Sequence, residues 1–127
     1  MSMLHEEITG EIISAFYEVY NIMGYGFLER VYENSMMIEL EEMGMTVEKQ
    51  KAIKVYFKKR IVGDYFADIL AEEKVIIELK TVSKILPKHE IQLLNYLKAT
   101  DIEIGLILNF GPDGPKVIRK IFENHLK

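Results

Sequence analysis

The stretch Val75-Ile-Ile-Glu-Leu-Lys-Thr81 constrains this chain most. It begins apolar on both faces, so it reads as a central strand. Pro87 suits the first turn of a helix reaching about Thr100. The apolar run Glu103–Asn109 follows and reads as a further strand. A helix crossing between strands makes the later strand parallel to an earlier one. The chain is therefore expected to hold a mixed sheet with helices on it.

The rest of the chain fits that frame. Ile8, Ile12, Ala15, Phe16, Val19 and Met23 recur at helical spacing and predict a helix over Glu6–Met23. Gly24 and Gly26 offer its C-cap and a turn. A second helix runs from about Leu28 to Met43, with Gly44 as its stop. The period then changes to two. Thr46–Phe57 and Ile61–Ala71 read as strands, separated by the polar turn Lys58-Lys59-Arg60. Glu72-Glu73-Lys74 turns the chain into Val75–Thr81, which gives an antiparallel meander of three strands. Gly111–Pro115 reads as a loop. Val117–Phe122 fits a strand or a short helix, and its alternation favours strand. The expected order is ααβββαβ plus a short C-terminal strand, in one α/β (α+β) domain spanning residues 1–127.

Composition narrows the function. There is no cysteine, so disulfides, zinc-thiolate sites and cysteine nucleophiles are excluded together. The N-terminal stretch lacks a basic-then-apolar leader pattern, and no apolar run is long enough to span a bilayer. A soluble cytoplasmic protein with no membrane partner is expected. The net charge of −4 argues against a passive nucleic-acid coat. It leaves room for acidic side chains gathered around a cation.

Two charges stand out in the central strand. Side chains alternate, so Ile76, Glu78 and Lys80 share a face opposite Val75, Ile77 and Leu79. A solvated ion pair is one reading. The preceding strand offers another, because aspartate is disfavoured inside strands and Asp68 sits within Tyr65-Phe-Ala-Asp-Ile-Leu70. Phe66, Asp68 and Leu70 are expected on one face, with Asp68 near Glu78 across the hairpin. Asp64 competes, but lies near the bend at Gly63. Two close carboxylates need a cation or a shared proton. Mg²⁺ or Mn²⁺ suits such oxygen donors.

Asp68 followed by Glu78-Leu79-Lys80 resembles the PD-(D/E)XK nuclease signature, with Ala67 where the proline would stand. Gly26-Phe-Leu-Glu29-Arg-Val-Tyr32 matches the motif that names the GxxExxY protein family, which is assigned to that superfamily. The flanking GDYFADIL, VIIELKTV, QLLNYLKAT and GLILNFG segments resemble the family in the same order, from about Ile8 to Phe122. Two departures are Tyr20, where members often carry histidine, and Tyr25, where proline is common. Gln92 and Tyr96 share a helical face and resemble the QxxxY motif of RecB-like nucleases.

The resemblance implies a restriction-endonuclease-like sheet flanked by helices, and a metal-dependent nuclease acting on DNA or RNA. It implies Asp68, Glu78 and Glu29 as metal-site carboxylates, with the Leu79 carbonyl as an extra ligand. Lys80 would act on the attacking water or the transition state, supported by Gln92, Tyr96 and Tyr32. From local sequence alone, Glu29 reads first as a first-turn acid favoured by the helix dipole. Gln92 equally sits exposed on a helix whose core is Ile91, Leu94 and Leu97. Lys54, Lys58, Lys59 and Arg60, with Lys49 and Lys51, form either an exposed sheet face or a track for a phosphate backbone. The three histidines have no ligand spacing among themselves. The rival function is a non-catalytic nuclease-fold module that binds or regulates a protein partner, with a homodimer as one way to complete a groove.

Overall fold

The computed structural model describes residues 5–127. The first four residues of the expected domain, on which part of the leader expectation falls, lie outside the described residues. The element order is α1 (Glu6–Met23), α2 (Glu29–Glu42), β1 (Val47–Phe57), β2 (Arg60–Ala71), β3 (Val75–Lys80), α3 (Pro87–Lys98), β4 (Ile104–Gly111), β5 (Gly114–Ile121) and a short 3₁₀ turn (Asn124–Leu126). This is the expected ααβββαββ arrangement of a mixed sheet flanked by helices.

The five strands lie side by side in chain order. Among the described residues, β3 and β4 are the one parallel pair; the other neighbours are antiparallel. The crossover through α3 makes that one parallel pair possible. Helices α1 and α2 cover one face. Ile12, Phe16, Tyr32, Met36 and Leu40 pack there on Val75, Ile77, Leu79, Leu106 and Leu108. Helix α3 covers the other face through Leu93, Tyr96 and Leu97 on Ile76 and Ile107. The strand β3 is thus buried on both sides, as its apolar run requires. Gly105 permits the close seat of α3, because a Cβ there would meet Leu93 Cδ1 at 2.6 Å. Among the described residues, no helix is long and apolar enough to cross a membrane.

Several local expectations change. The GPDGP segment is a tight turn, not a five-residue loop: Gly111 pairs with Gly114, so β5 starts before Val117. Pro115 fits there because β5 is an edge strand, where a missing N–H is tolerated. Lys58 and Lys59 alone make the β1–β2 turn, both with positive φ, and Arg60 already pairs with Phe57. The core of α3 is Leu93, Tyr96 and Leu97, while Ile91 is exposed.

The alternation expected through Asp68 also fails. Ala67 and Leu70, three apart, face the same cluster under α3, whereas Ile69 and Ala71 face α1 and α2. Phe66 is exposed and does not share a face with Leu70. The irregularity has a counterpart across the ladder. Lys49 pairs with Ile69 and Lys51 with Ala67, skipping Gln50 and Asp68 between them, and Gln50 adopts φ 56°. A non-glycine residue in that region stores strain. Here it marks a local irregularity beside the candidate site, while the register on either side is unchanged.

Candidate active site

The β2–β3 ladder runs from Ala71↔Val75 to Ile69↔Ile77 and then stops. The next residues in register, Asp68 and Glu78, bond through side chains instead. Glu78 Oε1 accepts from the Asp68 N–H at 3.0 Å, and Asp68 Oδ2 accepts from the Leu79 N–H at 2.7 Å. Each carboxylate therefore replaces a ladder carbonyl of its own strand. The strands part here without leaving those two amides unpaired. One oxygen of each carboxylate remains outside these bonds.

Burial and mutual charge set the electrostatics. Glu78 is only 6% exposed. Burial first, and then the Asp68 charge, push its carboxyl up to about 8. Asp68 is also raised, chiefly by burial, against the lowering effect of its bond from Leu79. Glu29, at the start of α2, is raised by burial and then by Asp68. The Lys80 ammonium lowers all three carboxyls. The structure thus brings Glu29, Asp68, Glu78 and Lys80 into one electrostatic neighbourhood.

The remaining predicted residues divide. Tyr96 lies on the α3 side of the carboxylates, and its hydroxyl accepts from Gln92 Nε2 at 3.1 Å. Burial, then Glu78 and Asp68, push its phenol up to about 12. Tyr32 lies in the core, stacked on Phe110 at 4.1 Å. Its hydroxyl donates to the Gly24 carbonyl and accepts from the Phe27 N–H. It fixes the turn before α2, and so the placement of Glu29, from outside the site. Tyr20 is similarly structural, donating to the Gly111 carbonyl. Leu79 buries its side chain beneath the sheet. Lys54 faces Asp64 across the ladder and pairs with it at 3.7 Å. Lys58, Lys59 and Arg60 sit at the exposed tip of the β1–β2 hairpin. His89 caps α3, its Nδ1 accepting from the Leu86 N–H at 2.9 Å.

Sequence reasoning missed Glu33 and Gln50. A cleft of about 440 Å³ beside Asp68 is lined by Glu29, Arg30, Glu33, Lys49 and Gln50. Gln50 Nε2 donates to Glu33 Oε1 at 2.6 Å, and Gln50 also bonds Asp68. The signal was present: Glu29 and Glu33 stand four apart on one helix, a like-charge spacing that disfavours a helix. The donor set suits a hard divalent cation. It is all oxygen, and its carboxyls are held above their ordinary values by one another's charge and by burial. Among the described residues, no three acidic or histidine side chains stand together closely enough to hold a metal ion between them.

The match to known proteins is broad. The model of the PD-(D/E)XK nuclease superfamily matches residues 6–121. No curated protein matches the chain. The crystal structure of a protein designated SSO0001 aligns with a TM-score of 0.59 at 20% identity, over 94% of this chain. This chain spans 60% of that protein's length. An alkaline exonuclease from Laribacter hongkongensis aligns with a TM-score of 0.54 at 14% identity, over 99% of this chain and 74% of the exonuclease. The shared architecture is the restriction-endonuclease-like fold.

Proposed function

The chain belongs to the PD-(D/E)XK nuclease superfamily, and from that premise we propose that it is a divalent-metal-dependent nuclease of the GxxExxY branch. One observation carries the reading. Asp68 and Glu78 cross-brace the point where β2 and β3 part, with Lys80 next along the same strand. The GxxExxY assignment rests on Gly26, Glu29 and Tyr32, of which Tyr32 sets the turn and Glu29 faces the carboxylates. The substrate class is nucleic acid, DNA or RNA.

Asp68 and Glu78 would hold Mg²⁺ or Mn²⁺, with the Leu79 carbonyl and Glu29 as further donors. Such an ion lowers the pKa of a bound water and offsets charge on the scissile phosphate. The chain's own residues do the rest. Lys80 brings a positive charge to the place where phosphate charge grows, and orients or deprotonates the attacking water. Tyr96 stays protonated near neutral pH because its phenol is pushed up to about 12. It serves as a hydrogen-bond donor, held by Gln92. Glu33 and Gln50 orient Asp68 from the cleft side.

A second reading has its own support. The carboxylates are satisfied by amides without a cation, an arrangement that also suits a non-catalytic module acting through a protein partner or a second copy. Cleavage assays separate the two. Wild type, Glu78→Gln and Lys80→Ala are incubated with single- and double-stranded DNA and RNA in Mg²⁺ or Mn²⁺. Cleavage by wild type that both variants lose supports the nuclease. Cleavage that persists unchanged in both would sink the assignment of these residues.

A further inference from the structure

The β1–β2 hairpin extends well past β3, which pairs with β2 only from Ile69 onward. That arm is two-stranded and unusually apolar for an exposed element. Tyr56 is 58% exposed and Tyr65 is 47% exposed. A bulge between Val55 and Tyr56 breaks the alternation there, and both residues line one groove. The groove measures about 540 Å³ and lies between the arm and α3, where Tyr65, Asn95 and Lys98 complete it.

The groove is continuous with the site. Tyr65 meets Tyr96 with ring centroids 5.9 Å apart. Tyr96 in turn feels the charges of Glu78 and Asp68. Gly63 lets the Tyr65 ring lie against the strand, since a Cβ there would meet Tyr65 Cε2 at 2.9 Å. At the far end stand Lys58, Lys59 and Arg60 on the hairpin tip. An aromatic strip with an amide, flanked by cations and leading from a phosphodiesterase centre, matches the parts that hold unpaired nucleotides: ring faces for bases, ammonium groups for phosphates. A base-paired duplex hides its base faces and gains little from exposed rings.

We propose that the Tyr56–Tyr65 groove binds the unpaired strand of a nucleic-acid substrate, making this protein selective for single-stranded ends or flaps. This rests on the nuclease reading and names its substrate class. The cations match a chain that carries one negative charge at every phosphate, and the ring faces match its unpaired bases.

The test is fluorescence anisotropy in EDTA, so that binding is read without cleavage. The probes are a labelled oligothymidylate and a blunt duplex of equal length. The expected result is tighter binding of the single strand, weakened roughly tenfold by Tyr56→Ala or Tyr65→Ala and largely kept by Tyr65→Phe. Both positions are exposed, and circular dichroism checks that the variants fold. Equal affinity for the two probes, no binding to either, or alanine variants that bind like wild type would overturn the inference. So would sedimentation showing that the same alanine changes split a dimer, since the arm then seats a second copy. Wild-type cleavage with Mn²⁺ is measured in parallel. If cutting depends on Glu78 while the groove variants bind normally, only the groove assignment fails.

Discussion

Asp68 and Glu78 hold each other's strands: the Asp68 N–H donates to Glu78 Oε1 at 3.0 Å, and Asp68 Oδ2 accepts from the Leu79 N–H at 2.7 Å. This reciprocity separates structural from chemical roles. In Asp68→Asn the amide oxygen still accepts from Leu79, so stability should change by no more than about 1 kcal/mol. Affinity for Mn²⁺ should fall at least about tenfold, because the ligand loses its charge. Urea unfolding and calorimetric titration measure the two effects on one sample.

Metal-free stability should fall as pH rises. Glu78 is raised from an ordinary 4.5 to about 8, so the fold favours its protonated form. That contribution is fully present below about 4.5 and is lost as pH climbs through about 8. Asp68 and Glu29 are raised as well and act with the same sign. The loss from Glu78 is a few kcal/mol. Urea midpoints in EDTA should therefore be higher at pH 5 than at pH 9. Glu78→Gln should flatten the slope, and millimolar Mg²⁺ should restore stability at the alkaline end.

Lys80→Met should separate binding from turnover. The ammonium lowers the pKa of Glu29, Asp68 and Glu78, and so competes with a cation for their charge. Removing it should tighten Mn²⁺ binding several-fold while slowing cleavage by about a hundredfold or more. Weaker metal binding together with slower cleavage would instead make Lys80 a structural support.

Tyr96→Phe should lower kcat about tenfold without moving the pH profile below pH 10. A phenol pushed up to about 12 does not titrate in that range. A shift of the alkaline limb on this change would assign Tyr96 a proton-transfer role that its environment opposes.

Tyr32→Phe removes a hydroxyl that joins Gly24 to Phe27 in a fully buried place. It should destabilise the fold by about 1–3 kcal/mol. Metal affinity should decline only as far as the turn before Glu29 loosens. Thermal melts and Mn²⁺ titration check this pair of outcomes.

Much of the molecule was legible because it follows local rules. The run Val75–Lys80 is apolar on both faces, and the structure buries it between two helical layers. Glycines at 24 and 26 mark the turn that Tyr32 braces. The site was legible where two strands meet in simple register, as at Asp68 and Glu78. It was not legible where the backbone departs from regular pairing. The skipped pair Gln50 and Asp68 depends on a backbone conformation that glutamine rarely adopts, and no period-two pattern announces it. The bulge after Val55 hid Tyr56 in the same way. Glu33 was missed for another reason: its partner Gln50 lies seventeen residues away, on a different element.

The shortness of the Asp68–Glu78 connection bears on how the molecule assembles. These two residues are ten apart in the chain and meet across a tight hairpin. Their loop closes at small entropic cost. The parallel pairing of β3 with β4 must instead join Val75 to Ile104 around a whole helix, and contacts of that separation form slowly. The crossed carboxylates therefore belong to the early, local part of folding. Glu29 and Tyr96 reach them later, carried in by helices that dock on opposite faces. By this ordering the carboxylate pair forms before the helices that flank it.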